Sequence, residues 1–189
     1  MIKILELFGG IGAPRKALIN LGVDHKSIDY VEWNAKAVRT YNAMFDNRYK
    51  PESVVCYNLQ PDILVHGSPC QDFSIAGKQY GGNMEDGTRS SLLFETIKII
   101  ESLGVLKPKV VIWENVKNAL SKKMVSAFNH YLSDMEALGY TNSYQVLDAC
   151  DLWMESQGFE CSGQIRKSDD SLLDENRKYY WFGSNSKKF

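Results

Sequence analysis

Short apolar blocks alternate along the chain with stretches in which apolar residues recur at helical spacing. Residues 3–8 predict a buried strand. Glycines at 9, 10 and 12 follow it, then an amphipathic stretch over 13–21, with Gly22 placed to end that helix. Residues 28–32 predict a second strand, which closes a βαβ unit of about 30 residues. A second helix is predicted over 35–45, and a short buried strand over 63–66 that runs into the turn Gly67-Ser68-Pro69. Residues 92–103 have helical periodicity through Leu93, Ile97 and Ile100. Beyond them come a strand over 110–113, a helix over 125–138 and a strand over 144–147. Strands alternating with helices imply a doubly wound α/β fold on a mostly parallel sheet. Ligands of such sheets sit beyond the carboxyl ends of the strands.

Composition narrows the class. A chain of 189 residues, 44% of them hydrophobic, supports one domain with a real core and is short for two. No apolar run is long enough to span a bilayer and Met1 opens no signal peptide, so a cytoplasmic protein is expected. Cys56, Cys70, Cys150 and Cys161 form no CxxC pair and no metal-ligand spacing, so no metal is expected. His25, His66 and His130 read as structural or solvated side chains. The net charge of -1 lends no support to nucleic-acid binding, which draws on basic surface. The basic pairs Arg166-Lys167, Arg177-Lys178 and Lys187-Lys188 read as a solvated tail.

The turns at the strand ends carry the candidate chemistry. Phe8-Gly9-Gly10-Ile11-Gly12 allows a tight turn and close approach of a ligand, next to a helix N-terminus that favours acceptors. Glu32, about 20 residues further on, can accept from two ribose hydroxyls, and Trp33 beside it can pack on an adenine ring. Gly67-Ser68-Pro69-Cys70-Gln71-Asp72-Phe73-Ser74 presents a thiol in a loop after a strand. Trp113-Glu114-Asn115-Val116 closes another strand, so Cys70 and Glu114 can face one substrate. A cysteine without an evident histidine partner suggests a nucleophile assisted otherwise than in a protease-like triad.

Taken in order, Phe8-Gly9-Gly10-Ile11-Gly12, Glu32-Trp33, Pro69-Cys70-Gln71, Arg89-Ser90-Ser91-Leu92 and Glu114-Asn115-Val116 resemble the DNA (cytosine-5)-methyltransferase family over residues 2–151. The resemblance implies the fold of S-adenosylmethionine-dependent methyltransferases, S-adenosylmethionine as cofactor, and cytosine-containing DNA as substrate, in the setting of restriction and modification. It implies that Cys70 attacks carbon 6 of a flipped cytosine, and that Glu114, with a pKa raised by burial, contacts N3. Asn115 and Pro69 would hold the loop and the base in register. Phe8, Gly10, Gly12, Glu32, Trp33, Pro69 and Leu92 are the implied cofactor positions, and Gln71 and Ser74 the implied DNA contacts. The family's acidic adenine contact finds no match, since Asp62 lies in the strand leading to Cys70 and Asn58 is not acidic.

The chain departs from the family after Asp148-Ala149. Where the family continues with a Gly-Val/Ile-Pro-Gln segment and alternating arginines, this chain has Cys150-Asp151-Leu152-Trp153-Met154-Glu155-Ser156-Gln157-Gly158. The expected organisation is therefore a cofactor-binding and catalytic domain over 1–151 and a divergent tail over 152–189, with no target-recognition domain and no returning final helix. A frameshift or early truncation would produce that pattern. Such a chain is expected to be catalytically defective alone, or to be one half of a split enzyme completed by a second polypeptide. The aromatic run 179–182 is expected either to pack on the sheet edge or to invite association.

Overall fold

In the computed structural model, which describes residues 1–54, 59–68, 92–122, 124–148 and 178–186, the first apolar block forms the strand β1 (Ile2–Leu7), its last four residues buried. It pairs in parallel with β2 (His25–Val31) on one side and β3 (Ile63–His66) on the other. β3 in turn pairs in parallel with β4 (Val110–Val116). Strands covered on both faces read as apolar blocks rather than as alternation, which is why β1 and β3 stood out in the sequence.

The period of two along β1 shows both covers. Leu5 and Leu7 join a core with α3 (Leu92–Ser102) and α4 (Val125–Ala137), through Ile97, Ile100, Phe128, Tyr131 and Met135. Glu6, between them, points to the other face and meets Tyr41 of α2 (Ala35–Phe45). There Tyr30, Val38 and Tyr41 form a second cluster with Phe45 and Tyr49. α3 is the most deeply set helix, with Leu93, Phe94, Ile97, Ile99 and Ile100 buried. Each such side chain stabilises the fold by about 1.5–3 kcal/mol relative to exposure.

Helix ends follow local chemistry. The Asn34 side chain accepts from the amides of Lys36 and Ala37 at the start of α2. Gly22, at φ 66°, takes the left-handed position just past α1 (Ala13–Asn20), as its place in the sequence predicts.

The departure from expectation lies in the second half of the sheet. Lys178–Ser186 is a strand, β6, hydrogen-bonded antiparallel to β4 on one side and to β5 (Tyr140–Asp148) on the other. The strand order is β2-β1-β3-β4-β6-β5, so the sheet is mostly parallel with one antiparallel strand inside it. The aromatic residues 179–182 therefore occupy an interior strand, opposite Val116 to Trp113 of β4, and β5 forms the edge. The aromatic run expected at the sheet edge, and Lys178 expected in a solvated tail, thus lie on an interior strand that completes the sheet. Pairing also lengthens two strands beyond their apolar runs. β4 continues through Glu114-Asn115-Val116 against Trp181 to Tyr179, and β5 starts at Tyr140 because polar residues 141–143 have backbone partners in β6. No helix among the described residues is long and apolar enough to cross a membrane.

Candidate active site

The glycine turn closes over an aromatic platform. The Gly9 amide donates to the Val31 carbonyl at 3.1 Å, and the Gly12 amide to the Gly9 carbonyl at 2.9 Å. A Cβ on Gly12 would lie 2.5 Å from the Phe45 ring and 2.6 Å from Tyr41, so only glycine lets α1 start this close to α2. Gly10, at φ 54°, has no atom within 4 Å of its Cβ position: its free side faces open space. Phe8 is also left-handed, at φ 53°, a conformation that costs a side-chain-bearing residue about 1–2 kcal/mol and here sits at the turn itself.

Glu32 ties β2 to this turn. Its Oε2 accepts the Gly10 amide at 3.0 Å and its Oε1 the Asn34 amide at 2.7 Å. Trp33, next to it, is 78% exposed. Phe8, Gly10, Gly12, Glu32 and Trp33 are thus gathered at the carboxyl ends of β1 and β2. Leu92 opens α3 and is half-buried.

The second part of the site lies at the ends of β3 and β4. The Gly67 amide donates to the Leu7 carbonyl at 3.2 Å, which carries the ladder one step past β3. The Ser68 hydroxyl, buried, accepts from the Trp113 indole at 3.0 Å and from the Asn115 side-chain amide at 3.2 Å. Asn115 also reaches the Ser68 carbonyl at 3.5 Å, and its own carbonyl oxygen accepts the Val116 amide at 2.8 Å. β4 therefore grips the turn two residues before the candidate nucleophile. Glu114 stands over the same turn: the Cβ position of Gly67 is 3.4 Å from Glu114 Oε2 and 3.5 Å from the Phe8 carbonyl. Burial of Glu114 pushes its pKa above the usual carboxylate range. Pro69, Cys70, Gln71 and Ser74 lie outside the described residues.

Other titratable groups are structural. His66, fully buried beside Trp113, bonds to the Tyr131 hydroxyl through Nε2 at 2.9 Å, and burial pushes its pKa down to about 3. His25 Nδ1 lies 2.7 Å from the Val23 carbonyl, and His130 pairs with Asp134 at 3.5 Å. Asp62 accepts the Lys3 amide at 2.9 Å and faces Lys109 at 3.6 Å. It precedes β3, at the amino ends of the strands, and so has no access to a ligand at their carboxyl ends. Among the described residues no group of His, Cys, Asp and Glu side chains is placed to hold a metal ion.

Sequence reasoning passed over Ser68, Trp113 and Tyr30 as functional positions. The Tyr30 hydroxyl donates to the Gly10 carbonyl at 2.6 Å, and its ring lies where a Cβ on Gly9 would fall, at 2.6 Å. The only signal for Ser68 was its place between Gly67 and Pro69, which reads as a turn and nothing more.

The family model of the C-5 cytosine-specific DNA methylase matches residues 2–153. The type II methyltransferase M2.ScrFI of Lactococcus lactis subsp. cremoris is 30% identical over 208 residues, covering 80% of this chain and 57% of that relative. The type II methyltransferase M.HhaI of Haemophilus parahaemolyticus is 35% identical over 155 residues, covering 79% of this chain and 44% of that relative. The chain spans about half the length of these curated relatives. In fold it is similar to S. pombe Dnmt2 methyltransferase (TM-score 0.69, 17% identity, 100% of this chain and 52% of that one). It is likewise similar to the Entamoeba histolytica methyltransferase EhMeth (TM-score 0.71, 16% identity, 100% and 54%). With a glycine turn tied to Glu32, a carboxylate poised over the Gly67 turn and a family match over most of its length, this chain belongs to the C-5 cytosine-specific DNA methylase family.

Proposed function

We propose that this chain carries the S-adenosylmethionine-binding and methyl-transferring half of a DNA (cytosine-5)-methyltransferase. One observation carries the reading. The Glu114 carboxylate and the Phe8 carbonyl of the glycine turn both border Gly67, three residues before Cys70. An acid and a cofactor turn thereby meet at the glycine that leads, in sequence, to Cys70.

The residues fit the cofactor. Gly10 leaves open space, Glu32 has acceptor capacity beyond its two backbone amides, and the exposed Trp33 offers a ring face to adenine. S-adenosylmethionine, when bound, supplies an electrophilic methyl group. Carbon 5 of cytosine is a poor nucleophile until its ring loses aromaticity. The Cys70 thiolate adds to carbon 6 of the flipped base, and Glu114, whose protonated form burial favours, gives a proton to N3 as charge builds there. Carbon 5 would then take the methyl group, with S-adenosylhomocysteine as the leaving group. Loss of the carbon-5 proton to water, with return of the N3 proton to Glu114, would expel the thiolate and restore the ring. Asn115, locked to Ser68, and Pro69 keep the loop in register, and Gln71 and Ser74 contact the DNA.

Residues 150–158, where the family has arginines, contain none, and the net charge of these 189 residues is -1, so they supply little of the basic surface that holds DNA. Charged hydrogen bonds of the kind those arginines would make are worth about 1.5–3 kcal/mol each. Protein that supplies such contacts, a second polypeptide among the possibilities the adduct test below covers, is the partner this reading calls for.

Incubation with DNA containing 5-fluorocytosine and S-adenosylmethionine tests the reading, with extract or purified protein from the neighbouring reading frame added in a parallel arm. A covalent protein–DNA adduct that Cys70→Ala abolishes is expected. An adduct that persists in Cys70→Ala, or none in either arm, overturns it.

A further inference from the structure

The glycine turn is held from below by a group that no step of the proposed chemistry uses. Gly10 is held at its amide and at its carbonyl by two side chains from the end of β2. Its amide donates to Glu32 Oε2 at 3.0 Å, and its carbonyl accepts the Tyr30 hydroxyl at 2.6 Å. Tyr30 and Glu32 are two residues apart on extended chain, so both reach the turn from one side. The clamp closes a loop: Tyr30 fixes the Gly10 carbonyl, Gly10 aims its amide, and the amide holds one oxygen of Glu32.

The Tyr30 ring cannot easily move. It stacks on Tyr41 with centroids 3.7 Å apart. Tyr41 in turn donates to Glu6 Oε1 at 2.6 Å and accepts from Arg15 at 3.0 Å. Burial, with the Glu32 and Glu6 carboxylates nearby, raises the Tyr30 pKa, so its hydroxyl keeps its proton and stays a donor. Gly10, at φ 54° and with open space at its Cβ position, depends on this hydroxyl to fix its carbonyl.

We infer that Tyr30 is a positioning residue for the cofactor: through the Gly10 peptide it sets the orientation in which Glu32 receives the ribose hydroxyls. This rests on the cofactor reading above and extends it to a residue whose side chain lies under the turn rather than against the ligand. A carboxylate has about four acceptor sites. Gly10 and Asn34 take one on each oxygen of Glu32, which leaves one on each for a vicinal diol. Without the tyrosine hydroxyl the Gly10–Ile11 peptide loses its anchor, and the backbone that presents the Gly10 amide to Glu32 Oε2 is held less tightly.

The test is calorimetric titration of the full chain with S-adenosylhomocysteine and with its 2′,3′-dideoxy analogue, for wild type and Tyr30→Phe. Phenylalanine keeps the ring and its stacking and removes only the hydroxyl. Binding of S-adenosylhomocysteine is expected to weaken about fivefold, the factor that one net hydrogen bond carries. Binding of the analogue is expected to be the same in both proteins. A penalty equal for both ligands means a loosened fold rather than a positioned diol, and overturns the inference. So does undiminished binding of S-adenosylhomocysteine by Tyr30→Phe. Wild-type protein that binds neither ligand is a different result: it removes the cofactor reading itself and the inference with it.

Discussion

Replacing Ser68 by alanine removes a single oxygen that accepts two buried donors. The Trp113 indole is 3.0 Å away and the Asn115 amide 3.2 Å. Trp113 is fully buried and Asn115 nearly so, so neither donor can turn to water. A buried donor left without an acceptor costs about 1–3 kcal/mol. The share that falls on Asn115 is softened, because its amide keeps the Ser68 carbonyl at 3.5 Å. The expected total is about 2–4 kcal/mol, against about 5–15 kcal/mol for a whole domain. Urea unfolding followed by far-ultraviolet circular dichroism reads this directly. The same substitution in a Trp113→Phe background tests the cause, since phenylalanine has no N–H to strand. There Ser68→Ala should cost about 1 kcal/mol less than in wild type. Equal cost in both backgrounds, or a total below about 0.5 kcal/mol, would refute the assignment of Ser68 as the tie between β4 and the nucleophile turn.

Two further predictions concern the neighbouring groups. Burial raises the Glu114 pKa in the folded chain, so its contribution to stability is full below the ordinary carboxylate range and is lost as pH rises through the raised value. Urea titrations from acid to neutral pH should therefore show wild type losing stability relative to Glu114→Gln as pH increases, and parallel curves would contradict the shift. Methylation, where it is reconstituted, should fall over the same rise in pH. At the glycine turn, Gly10→Ala and Gly12→Ala should part company. Alanine at 10 meets open space and carries only the left-handed penalty of about 1–2 kcal/mol. Alanine at 12 carries that penalty and also strikes the Tyr41 and Phe45 rings, so thermal unfolding should show it as the clearly less stable of the two.

Much of this arrangement was legible because it is local. α2 runs over the residues its pattern predicted, since an asparagine cap and an apolar stripe lie within one short stretch. The partnership of Glu32 with the glycine turn followed from spacing along a βαβ unit, and the structure gives it as a bond from the Gly10 amide. What escaped is what depends on distant chain. β6 pairs with strands that begin at residues 110 and 140, and its own Gly-Ser-Asn ending dilutes any apolar pattern. The polar start of β5 is a strand only because β6 lies beside it. Ser68 looked like turn material because no spacing rule says where a hydroxyl will point. Tyr30 read only as part of a strand; that its hydroxyl also holds a carbonyl of the turn depends on how the glycine turn folds back over β2.

The interleaving of β6 between β4 and β5 has a consequence for how the molecule is made. On the ribosome, β4 and β5 are complete long before Lys178 emerges, and in that interval each shows an open ladder with nothing to pair with. Nascent chains stalled between the two events are the ones that should cling to chaperones or to each other.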